Sequence, residues 1–66
     1  MTICKQYRNE SGDTATIEHD PHYIGGYDLI MFDKYGQRIW KGQYLNEKTA
    51  LNMMHKKAKG MRKEEV

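Results

Sequence analysis

Three histidines and one cysteine are the residues of this 66-residue chain best suited to ligating a metal. His19-Asp-Pro-His22 sets two imidazoles around a proline turn, while His55 and Cys4 lie far from them in sequence. A zinc site usually takes four ligands, paired at loop or helix spacing, and this pattern supplies only two. The expectation is turn histidines and no metal. Nucleophilic catalysis needs Ser, Cys or Thr beside a base that a third group orients. Ser11 falls in a turn, and Cys4 falls in a β-type stretch where a half-buried thiol is inert. Asp13, Glu18, Asp20 and Asp28 offer carboxylate pairs of the kind any acidic surface has. Gly12 and Gly25-Gly26 lack the phosphate-cradling pattern that precedes a helix. No catalytic residue, no cofactor and no small-molecule ligand is expected, and the chain reads as a non-enzyme.

Basic and aromatic residues carry the remaining chemistry. Lys48, Lys56, Lys59, Arg62 and Lys63 can contact phosphates, each adding salt-dependent affinity. Tyr35, Arg38, Trp40, Lys41 and Tyr44 fit a sheet that stacks bases or enters a groove. The simpler reading places Trp40 and Tyr44 in the core and leaves the lysines on a solvated helix face. Net charge is +2, but residues 1–33 sum to −4 and residues 34–66 to +6. That split suits an anionic partner for the second half, or two copies packing on each other.

These residues depend on a short series of elements. Thr2–Arg8 and Thr14–His19 are rich in β-favouring residues and read as a hairpin across Asn9-Glu-Ser-Gly-Asp13. Asp20-Pro-His-Tyr-Ile-Gly-Gly26 is irregular. Tyr27–Asp33 is almost continuously apolar, and Asp33-Lys-Tyr-Gly-Gln37 fits a type I turn with Gly36 left-handed. Arg38–Tyr44 is the fourth strand. Asn46 caps a helix whose stripe is Ala50, Leu51, Met54, Ala58 and Met61, with Gly60 as terminator. The predicted fold is α+β: a four-stranded antiparallel meander with one C-terminal helix on one face (ββββα). Residues 1–60 form the domain and 61–66 a frayed, charged tail.

Opposing Asp33 to Gln37 pairs Phe32 with Arg38, Met31 with Ile39 and Ile30 with Trp40. One hairpin face then holds Ile30, Phe32 and Trp40, and the other Tyr27, Leu29, Met31 and Ile39. One helix covers one face, and a one-residue slip exchanges the two sets. With Trp40 assigned to the helix, the uncovered partner-binding surface is Tyr27, Leu29, Met31 and Ile39.

The run Arg38-Ile-Trp-Lys-Gly-Gln-Tyr-Leu-Asn-Glu-Lys-Thr-Ala50 resembles the last strand and helix start of the plant ethylene-response-factor type DNA-binding domain and of integrase arm-binding domains. The shared features are a basic residue, an aliphatic residue, Trp, Gly two further on, an aromatic, and a helix with Ala in its first turns. The resemblance covers about a fifth of the chain. It implies a sheet lying in the major groove with the helix behind it, and Arg38 and Trp40 on the DNA side. The strand before it differs, being apolar and flanked by acids where those domains are Arg-rich.

A domain of this size buries only about 60% of the surface its unfolded chain exposes, so help from a second chain is expected. Cys4 cannot form an internal disulfide and suits a reducing cytoplasm. Met1-Thr-Ile-Cys-Lys lacks the apolar core of a signal peptide, and no apolar run approaches the ~20 residues that span a bilayer. The expectation is a cytoplasmic protein-interaction module, acting as a homodimer or as a stoichiometric binder or inhibitor of a larger protein. Accessory proteins of bacteriophages and mobile elements are of this kind. The alternative is a sheet-type nucleic-acid binder using Arg38, Trp40, Lys41, Lys56, Lys59 and Lys63.

Overall fold

A computed structural model describes residues 3–19 and 26–64. Strands β1 (Ile3–Arg8), β2 (Thr14–His19), β3 (Tyr27–Phe32) and β4 (Arg38–Tyr44) form an antiparallel meander, and α1 (Glu47–Lys57) follows them. A short β5 (Arg62–Lys63) pairs with β1, so the sheet order is β4-β3-β2-β1-β5. The α+β class and the four-strand meander with one helix are as expected. The fifth strand is additional.

Two hairpin turns repeat one chemistry. In the first, Asn9 Oδ1 accepts from the Asp13 amide at 2.9 Å, the Gly12 amide donates to the Asn9 carbonyl at 3.2 Å, and Gly12 has φ 91°. In the second, Asp33 Oδ1 accepts from the amides of Tyr35 and Gln37, both at 2.9 Å, and Gly36 has φ 82°. Each turn thus has a short polar side chain to satisfy loop amides and a glycine where φ must be positive. The irregular stretch between β2 and β3 lies outside the described residues, apart from Gly26.

The register of the last hairpin corrects the expected faces. Phe32 does pair with Arg38, but a bulge follows, and Met31 pairs with Trp40 rather than Ile39. A bulge lets two residues oppose one and turns the rest of its strand over. Trp40, Gly42 and Tyr44 therefore share a side with Met31, Leu29 and Tyr27, while Ile39 is left 46% exposed. The alternative would aim Lys41 and Gln43 at the helix.

Helix α1 packs on β2, β3 and β4. Asn46 caps it, its Oδ1 accepting from the Thr49 amide and hydroxyl at 2.8 Å each. Ala50 and Met54 are buried against Ala15, Ile17, Leu29 and Met31, with Leu51, Met53, Trp40 and Tyr44 packed around them. The helix ends earlier than its apolar stripe. Ala58 is extended, its amide still donating to the Met54 carbonyl at 3.0 Å, and Gly60 (φ 78°) turns the chain back rather than ending the helix itself. Ala58 and Met61 are nevertheless buried, in one cluster with Tyr7. The chain after Gly60 is therefore not a frayed tail as far as Glu64: it anchors Met61 and adds β5 to the edge of β1.

Candidate protein-binding face

Alternation along each strand divides the sheet into a helix side and an open side. Lys5, Tyr7, Ala15, Ile17, His19, Tyr27, Leu29, Met31, Trp40, Gly42 and Tyr44 belong to the helix side, as their pairings and burial require. The open side reads as three rows across the strands. Arg62, Arg8, Thr14, Phe32 and Arg38 form the first. Gln6, Thr16, Ile30 and Lys41 form the second, and Cys4, Glu18, Asp28 and Gln43 the third.

These rows have a definite chemistry. Ile30, Phe32, Thr14 and Thr16 are half-buried on the side of the sheet opposite α1. They make a shallow apolar and hydroxylic centre. Arg8, Arg38, Lys41 and Arg62 are exposed around it. A depression on this side is bordered by Gln6, Arg8, Thr14, Thr16 and Glu64. Like charges stand directly opposite each other at both ends: Arg8 pairs with Arg62, and Glu18 with Asp28. Such cross-strand pairs are unfavourable in an isolated sheet. The Arg8 guanidinium meets Glu64, whose Oε1 lies 2.8 Å from its Nε.

The expected partner surface is thereby corrected. Leu29 and Met31 are fully buried beneath α1 and Tyr27 is half-buried beside them, so only Ile39 of the expected four is exposed. The bulge is the cause: it carried Trp40 to the side of Met31 and gave that side to the helix. The half-exposed apolar residues of this face are Ile30 and Phe32, expected in the core with Trp40. Their signal was present as the alternation of Thr14, Thr16 and Glu18 in the neighbouring strand, polar residues that suit an open face.

The residues expected to contact nucleic acid do not share one surface. Arg38 and Lys41 are on the open side. Trp40 is on the helix side, where its Nε1 donates to the Tyr44 hydroxyl at 3.0 Å and Lys57 Nζ sits 4.0 Å from its ring centre. Lys56 and Lys59 are exposed on α1 and the turn after it, and Lys63 is opposite Tyr7 on β5. Cys4 and His19 fall on opposite sides of the sheet, His55 is exposed on α1, and His22 lies outside the described residues. Among the described residues no three His, Cys, Asp or Glu side chains gather as metal ligands.

A concavity on the helix side is lined by Lys5, Ile17, His19, Tyr27 and Glu47. Lys5 Nζ meets Glu47 Oε1 at 2.6 Å, tying β1 to the first turn of α1, and the His19 and Tyr27 rings stack at 4.2 Å. The Glu47 carboxylate, by hydrogen bond and charge, holds the Lys5 ammonium above its ordinary pKa. Burial pushes the Tyr7 phenol up as well. Among its described lining residues this concavity offers an ion pair already satisfied and an aromatic stack. No described helix is long and apolar enough to cross a membrane. Neither the family models, the curated proteins nor the solved structures compared with this chain yield a match.

Proposed function

We propose that this chain is a small, non-enzymatic protein-binding module that docks another protein on the open face of its sheet. The observation that carries the reading is Ile30 in the middle row and Phe32 in the row of Arg8 and Arg38, both half-exposed on the face opposite α1. Two adjacent apolar residues among Arg, Lys, Thr and acidic side chains match the anatomy of a binding surface, an apolar patch with a polar rim. Binding would exclude water from Ile30 and Phe32, while Arg8, Arg38 and Lys41 select partners carrying carboxylates. Phe32→Glu is expected to abolish partner capture from a host lysate with native far-UV CD, whereas Lys48→Glu on the helix leaves capture intact. Equal capture by both variants would remove the reading.

A second reading, a sheet-type nucleic-acid binder, is favoured by the set Arg8, Arg38, Lys41 and Arg62 around Phe32, the one aromatic of the open face among the described residues. Against it, Glu18 and Asp28 occupy the other end of the same face and repel phosphates. The two separate in one measurement. Single- and double-stranded oligonucleotides titrated at low and moderate salt show a steep salt slope if phosphates are contacted. The protein-binding reading expects no retention at low salt.

A further inference from the structure

We propose that the open face binds a second copy of this chain, the two sheets stacking through a two-fold axis that crosses their strands. The inference rests on the protein-binding reading above and adds the identity of the partner. Its basis is the order of charge along the strands. The row with Arg8 and Arg38 and the row with Glu18 and Asp28 are four residues apart, about 13 Å. Between them lies the middle row, Gln6, Thr16 and Ile30, with one charge, Lys41, at its β4 end.

Two ways of stacking identical sheets by a two-fold axis are open, and charge chooses between them. An axis along the strands places Arg8 and Arg38 over themselves and the acids over the acids. An axis across the strands turns the second copy end for end. Its acidic row then lies over the basic row of the first, and Gln6, Thr16 and Ile30 meet their own counterparts at the axis. Lys41 also lies over its counterpart, but at the β4 edge, where the exposed ammonium turns to solvent. Strand order is kept in this arrangement, so Glu18 and Asp28 in the two central strands β2 and β3 are flanked by Arg8 from β1 and Arg38 from β4 of the other copy. Each guanidinium is then one strand, about 4.8 Å, to the side of its carboxylate, within the reach of an arginine side chain. The like-charge pair Glu18–Asp28 gains two cations, and the contact is isologous, as a closed dimer requires. Strands that stay nearly aligned, about 30° apart, are the common geometry for packed sheets.

Size fixes the strength. Four strands of about 20 Å, about 4.8 Å apart, with the two-residue β5 at the edge, give a face of roughly 400 Å² per copy, or about 800 Å² for the pair. That is below the size of stable interfaces and in the range of weak, transient ones, so the dimer forms and dissociates with concentration.

Sedimentation of the full chain from about 1 μM to about 1 mM, the range over which a small interface populates both states, is expected to show mass rising towards twice 7.8 kDa. The rise should weaken with added salt. Asp28→Arg and Arg38→Asp should each weaken self-association at least about tenfold, and the double variant Asp28→Arg/Arg38→Asp should restore it. Positions 28 and 38 lie in opposite outer rows of one copy, so rescue by the swap reports a contact between copies. A monomeric wild type at the highest concentration and low salt overturns the proposal, as does a double variant no better than the singles. Amide shifts on dilution give a reading that needs no variant: changes centred on β2 and β3 support the stacked face, and changes confined to α1 or to the β4 edge overturn it. If wild type stays monomeric while Phe32→Glu still loses capture of another protein, the second copy is wrong and the protein-binding face stands. If Phe32→Glu changes neither, both fall.

Discussion

Glycines decide how β3, β4 and the helix start meet. Gly26 enters β3 at φ 76°, and a Cβ there would fall 2.2 Å from the Tyr44 carbonyl oxygen, inside any tolerable contact with backbone. Gly36 has nearly the same conformation, φ 82°, yet a Cβ there would meet nothing within 4 Å. The two positions separate backbone strain from packing. Gly36→Ala should cost only the left-handed penalty, about 1–2 kcal/mol. Gly26→Ala adds overpacking against backbone of about 1–3 kcal/mol, and its urea midpoint should fall well below that of Gly36→Ala. Equal midpoints would show that the Tyr44 carbonyl yields freely. Gly42 works differently. A Cβ there would press on the Tyr44 ring and its hydroxyl, at 2.6 Å, which now receives the Trp40 Nε1 proton. Trp40, Gly42 and Tyr44 are thus one unit: the missing side chain makes room for the ring that anchors the indole.

At the scale of elements, the bulge after Arg38 determines what the molecule exposes. Met31 is fully buried against the helix, and Ile39 projects away. Met31→Glu should bury a carboxylate without a partner at a cost of several kcal/mol, comparable to the whole stability of a chain this long, about 3–10 kcal/mol. It should unfold the protein, while Ile39→Lys should stay within about 0.5 kcal/mol of wild type. Thermal melts of the two variants check this, and a folded Met31→Glu would restore the unbulged pairing. The elements themselves were legible in the sequence. Asn46 and Thr49, Asp33 and Gly36, and the apolar spacing of Ala50 and Met54 each act within a few residues, where pattern and chemistry are local. The bulge was not, because the choice between Ile39 and Trp40 opposite Met31 depends on which side the helix takes. That choice inverted the candidate surface. The two-residue β5 was hidden for a related reason: Arg62 and Lys63 read as solvated charge, and only Met61, seated in the core beside Tyr7, gives them a position. The partner site was legible as a deficit, one helix against two apolar hairpin faces, and illegible as a set of residues.

The whole molecule is two layers with one core, and the side of the sheet near β1 is held to the helix start by Lys5 and Glu47. Two groups there have pKa values displaced in the same direction. Lys5 is raised by its hydrogen bond and attraction to Glu47, and Tyr7 is raised by burial. In both cases the folded chain holds a proton longer than the unfolded chain, whose ordinary values are 10.5 and 10.0. Their support is therefore complete below about pH 10 and is lost as pH rises through the folded values, because the unfolded state then binds fewer protons. Deprotonated Lys5 no longer attracts Glu47, and the Tyr7 phenolate is poorly solvated in the cluster with Ala58 and Met61. Urea midpoints followed from about pH 9 to about pH 12 should fall for wild type across these two titrations. Tyr7→Phe should remove the part due to burial, and Lys5→Met the part due to the ion pair, each flattening the alkaline decline. Lys5→Met should also lower stability at neutral pH, where the ammonium is fully charged and bound to Glu47. An alkaline profile of equal steepness in wild type and both variants would place the pH sensitivity elsewhere and detach β1 from the helix start as a unit of stability.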